Sequence, residues 1–305
     1  MTYNIPIKQY KTNIRQFDLP QSNVGGEYSL PFMISEAEQS FKPALAIEIL
    51  MNVPKNYPSE LKSAWGNCIE DMVEWAKEAL KLSPDFLALK FNVIEEDLDN
   101  EIPKASDLLK KIELIADKPL IISGVAKKEV DSHLLCELAQ VCTKQAVIGP
   151  VEEDDYKQIT PALKEKGHCV IARTPIDVNL AKELNILISE IGISPDKILI
   201  DPNMGALGYG LDYAYSVIER IKTAGLGADM MLNMPIVTYV GEEAWKSKES
   251  KSADFPYSWG DLTTRAVVWE CITASSVMSA GSNLLLLWHP ESFGTLKDFV
   301  DEVIS

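Results

Sequence analysis

The segment Asp201–Gly210, DPNMGALGYG, carries three glycines directly after a short apolar run, where the backbone can approach a ligand closely. Its spacing, G-x-x-G-x-G, reverses the order of the dinucleotide fingerprint, and no second strand with an acidic end follows about 20 residues later. The segment therefore disfavours an NAD site. It predicts a rim of bare backbone and apolar side chains at the start of a helix, suited to a flat and largely apolar ligand. Tight packing of that helix is the alternative explanation.

A lysine and a glutamate form the second candidate pair. Glu48 shares the strand phase of Ala44 and Ala46, and Lys90 shares the phase of Phe86 and Ala88, so both side chains can meet inside a barrel if those phases face inward. A desolvated lysine can form a Schiff base, which would suit an aldolase-like lyase. A neighbouring carboxylate favours the ammonium form instead, and we expect a structural ion pair.

Other polar side chains come at the ends of predicted strands, where barrel proteins bind their ligands. Asp201 and Asn203 flank a proline, so they can either hydrogen-bond a polar ring or cap the next helix. The full set is Asn92, Ser123, Arg173, Thr174, Asp201, Asn203, Asn233 and His289.

Short apolar runs alternate with longer amphipathic stretches from residue 44 onward, which indicates parallel strands covered by helices. Thr160 and Thr174, each followed by proline, are predicted helix N-caps. The predicted strands are 44–50, 85–91, 119–123, 146–149, 169–173, 197–201, 231–234 and 284–289. The predicted helices are 60–82, 104–116, 129–142, 160–167, 175–190, 206–224, 260–279 and 291–303.

Eight such units predict an α/β fold, a (β/α)8 TIM barrel over residues 44–305, with an open doubly wound sheet as the alternative. Residues 1–43 are predicted to form an N-terminal arm or hairpin packed against the barrel. Residues 241–260 read as a long polar insertion after the seventh strand.

Charge and composition narrow the functional classes. The net charge of −16 repels nucleic acid and anionic membranes, so neither is an expected partner. No basic leader and no membrane-spanning stretch is evident, and we expect a cytoplasmic protein. The five cysteines and three histidines are scattered, so the sequence predicts no metal or iron–sulfur site in this chain.

Five segments carry a resemblance to a known family. They are GGEYSLPF (25–32), TPIDVNLAKELN (174–185), ALGYGLDYAYSVIERIK (206–222), WGDLTTRAVVWECITA (259–274) and LLLLWHP (284–290). In order and over nearly the whole chain, they resemble the small, or delta, subunit of the corrinoid iron–sulfur protein of the carbon monoxide dehydrogenase/acetyl-CoA synthase system.

The resemblance implies a TIM barrel paired with a large subunit that carries the iron–sulfur cluster and a cobamide, the cobamide lying against the barrel mouth. The implied role is methyl transfer in the acetyl-CoA pathway, from methyltetrahydrofolate or an archaeal pterin analogue through a separate methyltransferase to acetyl-CoA synthase. A reductive activator is a further implied partner. The chain itself is expected to carry no catalytic nucleophile or general base.

By the same resemblance, the corrin-facing rim is assigned to one loop and three neighbours. The loop residues are Asn203, Met204, Gly205, Ala206, Leu207, Gly208 and Tyr209, and the neighbours are Arg173, Thr174 and Asn233. The alternative is a self-sufficient pterin- or folate-dependent methyltransferase barrel. Those enzymes commonly carry Asp-Pro-Gly after a strand, whereas this chain has Asp201-Pro202-Asn203.

Overall fold

Residues 9–31 and 42–304 are described by a computed structural model, in which parallel strands alternate with helices. The strands are β1 (Ala44–Leu50), β2 (Phe86–Lys90), β3 (Leu120–Ser123), β4 (Val147–Val151), β5 (Cys169–Arg173), β6 (Ile198–Asp201), β7 (Val237–Thr238) and β8 (Leu284–Leu287). The helices are α1 (Ser59–Trp65), α2 (Met72–Lys81), α3 (Leu98–Ile115), α4 (Lys128–Val141), α5 (Tyr156–Lys166), α6 (Val178–Ile191), α7 (Leu211–Leu226), α8 (Val240–Lys246), α9 (Leu262–Ala280) and α10 (Pro290–Ile304).

The sheet closes on itself. Its strand order is β6-β5-β4-β3-β2-β1-β8-β7, and every neighbouring pair is parallel. A parallel bridge between Ile200 and Ile236 joins β6 to the start of β7, and the Ile200 amide donates to the Pro235 carbonyl at 2.9 Å. The TIM-barrel prediction is confirmed. The open doubly wound sheet is excluded, because its strand order would reverse within the sheet.

Alternate strand residues fill the barrel interior, as a two-residue period requires. Ala44, Ala46, Phe86 and Ala88 all belong to the inner cluster, so the phases that the sequence left conditional do face inward. The alternate apolar strand residues, such as Ile47, Leu87 and Ile122, pack outward against the helices in a second, larger cluster. No helix among the described residues is long and apolar enough to cross a membrane.

The described part of the N-terminal segment is a hairpin that enters the barrel from the N-terminal ends of the strands. The Ile14 amide donates to the Glu27 carbonyl at 2.9 Å, and the Gly26 amide donates to the Ile14 carbonyl at 3.1 Å. Further along, the Phe17 amide donates to the Val24 carbonyl at 2.9 Å. Phe17, Leu19 and Val24 are 5% exposed or less and belong to the inner cluster. We call residues 9–31 the arm; residues 1–8 and 32–41 of the predicted arm lie outside the described residues.

A buried ion pair attaches the arm to the barrel. The Lys222 ammonium of α7 donates to the Glu27 carboxylate of the arm and, at 2.5 Å, to the Asn283 side-chain oxygen. Asn283 in turn donates to Glu27 at 2.7 Å and accepts from the Ile236 amide at 2.9 Å. Because Asn283 lies just before β8 and Ile236 just before β7, the arm is tied to the strands that close the barrel.

The seventh strand is not where the sequence placed it. The predicted strand 231–234 is a turn in which the Met231 amide donates to the Asp229 side chain and the Leu232 amide to its carbonyl. The strand itself is Val237–Thr238. The apolar run misled the prediction because a short apolar run does not distinguish a strand from a buried turn.

Two predicted helix starts are also wrong. Thr160 lies inside α5, where its hydroxyl donates to the Tyr156 carbonyl one turn back. Asp177, rather than Thr174, caps α6, because its carboxylate accepts from the amides of Asn179 and Leu180 at 2.7 and 3.0 Å. An acidic side chain thus replaced the predicted hydroxyl cap.

Two other helical stretches differ from prediction. The predicted helix 60–82 is interrupted by a tighter turn at Gly66–Glu70, so it becomes α1 and α2. The predicted insertion 241–260 contains most of α8, in which Ala244 and Trp245 are buried. A seven-residue helix is too short to show a clear helical period in the sequence.

Candidate functional site at the barrel mouth

Charged and aromatic side chains close the barrel at the C-terminal ends of its strands. Lys90 at the end of β2 and Glu242 of α8 form an ion pair at 2.5 Å. Arg173 at the end of β5 pairs with Asp201 at the end of β6, also at 2.5 Å, and its guanidinium stacks 4.6 Å from the centre of the Tyr239 ring. We call these five residues and Glu48 the charged layer. The sequence predicted Arg173 and Asp201 at this end of the barrel, but it gave no sign of Glu242 or Tyr239 there.

Glu48 lies beneath the ion pairs and is fully buried. One carboxylate oxygen accepts from the Trp288 indole at 2.6 Å, and the other has no hydrogen-bond partner. Burial raises the pKa of Glu48, although Lys90 acts in the opposite direction. Burial also acts to raise the pKa of Glu242, but Lys90 and Lys246 outweigh it and lower that pKa to about 2.

The prediction that Lys90 forms an ion pair with Glu48 is therefore wrong. Lys90 pairs with Glu242, which belongs to the short helix that the sequence did not reveal. Because the amine is held against a carboxylate, the geometry gives no support to a Schiff-base lysine.

A recess opens beside the charged layer, between the ends of β4 and β5. It has a volume of about 190 Å³ and is lined by Glu152, Glu153, Asp154, Arg173, Thr174, Pro175, Leu180, Glu183 and Leu184. We call it the β5 recess. Thr174 is 5% exposed, and its hydroxyl has no hydrogen-bond partner. Burial raises the pKa of Glu152 despite the neighbouring Arg173.

The Asp-Pro-Asn turn after β6 is occupied by internal hydrogen bonds. Asp201 uses one carboxylate oxygen for Arg173 and the other to accept from the Asn203 amide at 2.9 Å. Asn203 adopts a left-handed backbone with φ of 54° and has an exposed side chain. Asparagine tolerates this conformation better than most residues, which explains its place in the turn.

The glycine loop packs outward, toward α9, rather than over the barrel axis. The Leu207 amide donates to the Thr273 hydroxyl of α9 at 3.3 Å, and the Tyr209 hydroxyl donates to Glu249 at 3.2 Å. A Cβ on Gly205 would lie 2.1 Å from the Tyr209 carbonyl oxygen, so packing within the loop requires that glycine. Close packing within the loop therefore accounts for Gly205, whereas the alternative drawn from the sequence was packing of the following helix against the barrel.

The predicted site residues therefore fall into separate groups. Arg173 and Thr174 share the β5 recess, and Asn203 lies on the adjacent turn. Gly205, Ala206, Leu207, Gly208 and Tyr209 form the loop against α9, in which Ala206 is buried and Tyr209 is 54% exposed. Met204 is buried in the core between strands and helices.

Asn233 lies at the other end of the barrel. Its side-chain oxygen accepts from the Arg15 guanidinium of the arm at 2.8 Å, and its carbonyl accepts from the Arg15 amide at 2.7 Å. Arg15 also pairs with Asp196, which precedes β6. The expectation that Asn233 borders the mouth followed from the misplaced seventh strand and is wrong.

The remaining strand-end residues have structural partners. Asn92 bonds the backbone of Asn52, and Ser123 bonds the Tyr239 hydroxyl at 3.1 Å. His289 stacks on Trp245 with ring centres 5.7 Å apart. Sequence reasoning missed Glu242 and the buried Glu270, which accepts from the Trp288 and His289 amides. No sequence signal marks either residue. Glu242 lies in a helix too short to be recognised, and Glu270 lies within the long helix α9 among residues with no distinguishing pattern.

No group of three or more potential metal ligands comes together among residues 9–31 and 42–304. All five cysteines are free thiols. Burial raises the pKa of Cys169 to about 12 and that of Cys271 to about 11, which suits unreactive structural thiols.

The fold defines a (β/α)8-barrel protein of the same architecture as dihydropteroate synthases. The enzyme from Xanthomonas albilineans superposes with a TM-score of 0.59 at 12% identity, covering 86% of this chain and 93% of that one. The enzyme from Coxiella burnetii, solved with pteroic acid, gives 0.59 at 11% identity over 87% and 94% of the two chains. By sequence, the chain belongs to the CO dehydrogenase/acetyl-CoA synthase delta subunit family, whose pattern matches residues 20–279.

Curated relatives agree with this membership. The acetyl-CoA decarbonylase/synthase complex subunit delta of Archaeoglobus fulgidus is 31% identical over 285 residues, covering 90% of this chain. That of Methanocaldococcus jannaschii is 28% identical over 312 residues, covering 96% of this chain and 75% of the relative. The chain spans only 62% of the length of the Archaeoglobus protein.

Proposed function

We propose that this chain is the small subunit of a two-subunit corrinoid iron–sulfur methyl carrier in the reductive acetyl-CoA pathway. In this proposal its barrel mouth covers a cobamide that the large subunit holds. The observation that carries the proposal is the family match across residues 20–279.

The geometry of the mouth determines how such a ligand can bind. The charged layer fills the end of the barrel, and the β5 recess of about 190 Å³ is too small for a corrin ring. A cobamide must therefore lie across the rim, with its other face left to the large subunit. A bound cobamide would supply the cobalt nucleophile that carries the methyl group, and the residues of the rim would hold it.

The chain's own residues contribute binding rather than proton transfer or bond formation. Arg173 and Thr174 offer hydrogen bonds at one side of the mouth, and the exposed Asn203 side chain adds another. Leu207 and Tyr209, on the loop that packs against α9, offer apolar contact at the outer edge of the rim. The proposed further partners are a methyltetrahydrofolate methyltransferase, carbon monoxide dehydrogenase/acetyl-CoA synthase and a reductive activator.

A self-sufficient pterin methyltransferase is less well supported. Both carboxylate oxygens of Asp201 are already used, by Arg173 and by the Asn203 amide, so this turn presents no free carboxylate to a pterin. Calorimetry with methyltetrahydrofolate and the isolated chain is expected to show no binding. A bound pterin, or turnover of a methyl donor by the chain alone, would favour the alternative.

Affinity purification of the tagged chain from its native source tests the proposal. We expect an equimolar larger chain and a corrin absorption spectrum, whereas recovery of the chain alone would contradict the assignment. Tyr209→Glu and Leu207→Glu each place a charge on the apolar side of the rim and are expected to weaken the complex about tenfold. Leu114→Glu is the matched control, since Leu114 is 87% exposed near the end of α3 that lies beside the arm.

A further inference from the structure

The β5 recess has unused hydrogen-bonding groups of two opposite kinds. Among the described residues, the Arg173 guanidinium makes one hydrogen bond, from Nε to Asp201, so its terminal nitrogens keep their N–H donors. The Thr174 hydroxyl is buried and unpartnered. Four carboxylates line the same recess, and ionised carboxylates only accept.

A ligand group that satisfies this lining must offer an acceptor and a donor together. Arginine nitrogens can only donate, so the ligand needs an oxygen acceptor, and the half-buried Glu152 carboxylate favours an N–H or O–H donor. A carboxylate or phosphate supplies acceptors alone and is repelled by the four carboxylates. A metal cation is disfavoured because the acidic side chains do not converge into a ligand cluster in the described residues.

We propose that the β5 recess is a binding site for a neutral primary carboxamide, with the carbonyl oxygen toward Arg173 and Thr174 and the amide N–H groups toward the carboxylates. The volume of about 190 Å³ corresponds to roughly six water molecules of about 30 Å³ each. That volume admits a short carboxamide arm and is too small for a corrin ring. The proposal rests on the proposed function in one respect: a cobamide carries such arms around its ring.

Fragment binding to the full chain tests the recess directly. The probe is propionamide, followed by amide chemical shifts of the isotopically labelled chain. We expect saturable shifts at Thr174 and Glu152 in the millimolar range. N,N-dimethylpropionamide lacks the N–H donors, and propionate is an anion, so neither is expected to produce these shifts. Larger shifts with propionate or with propylammonium would overturn the proposal.

Two variants separate a binding role of Thr174 from a structural one. Thr174→Val keeps the side-chain shape and removes the hydroxyl, so propionamide should bind about tenfold more weakly. Thr174→Ser keeps the hydroxyl and should bind propionamide as the natural chain does. Spectra away from the recess report whether each variant folds normally. Equal propionamide affinity in Thr174→Val and the natural chain would refute the assigned role.

Different results would refute the carboxamide site and the proposed function. If the chain never associates with a corrin-bearing partner, the proposed function fails while propionamide binding still stands. If the complex forms but the propionamide shifts are absent, the carboxamide site fails and the proposed function remains. If both hold, Thr174→Val should also weaken the complex, and an unchanged complex would refute a cobamide arm as the occupant.

Discussion

Removing the ammonium group of Lys222 is expected to destabilise the whole barrel. Lys222 is 1% exposed, and Lys222→Met keeps much of its apolar stem while leaving the Glu27 carboxylate buried without its cation. Breaking a buried pair in this way typically costs about 3–5 kcal/mol. Glu27 would retain the Asn283 amide at 2.7 Å, which places the expected loss near the lower limit of about 3 kcal/mol.

A double variant isolates the contribution of the unpaired Glu27 charge to the free energy of unfolding. In Lys222→Met with Glu27→Gln, no uncompensated carboxylate remains, so most of the lost stability should return, leaving a deficit of about 1 kcal/mol. Urea unfolding followed by tryptophan fluorescence measures both variants. Lys111→Met is the control, because Lys111 pairs with Asp107 on the exposed surface of α3 and its loss should change little.

Two results would refute this reasoning. A loss below about 1 kcal/mol in Lys222→Met would mean that Glu27 finds water or another donor without the lysine. A double variant no more stable than Lys222→Met would mean that the lost contribution comes from packing around α7 rather than from the ion pair.

Two further changes test the rim and the acidic end of β4. Gly205→Ala forces a Cβ to within 2.1 Å of the Tyr209 carbonyl and should cost about 2 kcal/mol in urea unfolding, whereas Gly294→Ala in α10 meets nothing within 4 Å and should not destabilise. Burial raises the pKa of Asp155 from 3.8 to about 6, so the folded state holds this proton more tightly than the unfolded state. Its contribution to stability is present below pH 4 and falls between pH 4 and 6, by about 1–2 kcal/mol after allowance for solvent screening. Asp155→Asn should remove that pH-dependent difference, and parallel pH profiles of the two proteins would contradict the assignment.

The barrel was predictable because its evidence is distributed along the chain. Seven predicted strands overlap the observed ones, and the two-residue period correctly grouped Ala44 with Ala46 and Phe86 with Ala88 on one face of each strand. The seventh strand failed locally, since Val237–Thr238 is only two residues long and a more apolar turn precedes it. Because of that single error, Asn233 was predicted at the C-terminal end of the barrel, whereas it lies at the other end.

The site was less predictable than the fold because its contacts join distant parts of the chain. Lys90 and Glu242 are 152 residues apart, and Arg15 and Asn233 are 218 apart, so no local pattern reports either contact. Arg173 and Thr174 were found because they end a recognisable strand. The glycines of the 201–210 loop drew attention by composition, although one of them serves packing within the loop.

The arm makes the integrity of this barrel depend on where its chain is cut. Phe17, Leu19 and Val24 occupy the space between the strand beginnings, so a version trimmed to start at Ala44 would expose an apolar hole to water. Such a fragment should aggregate even though it retains every strand. Anyone transplanting the mouth onto a minimal scaffold must therefore carry the hairpin with it or refill the vacated space with larger side chains.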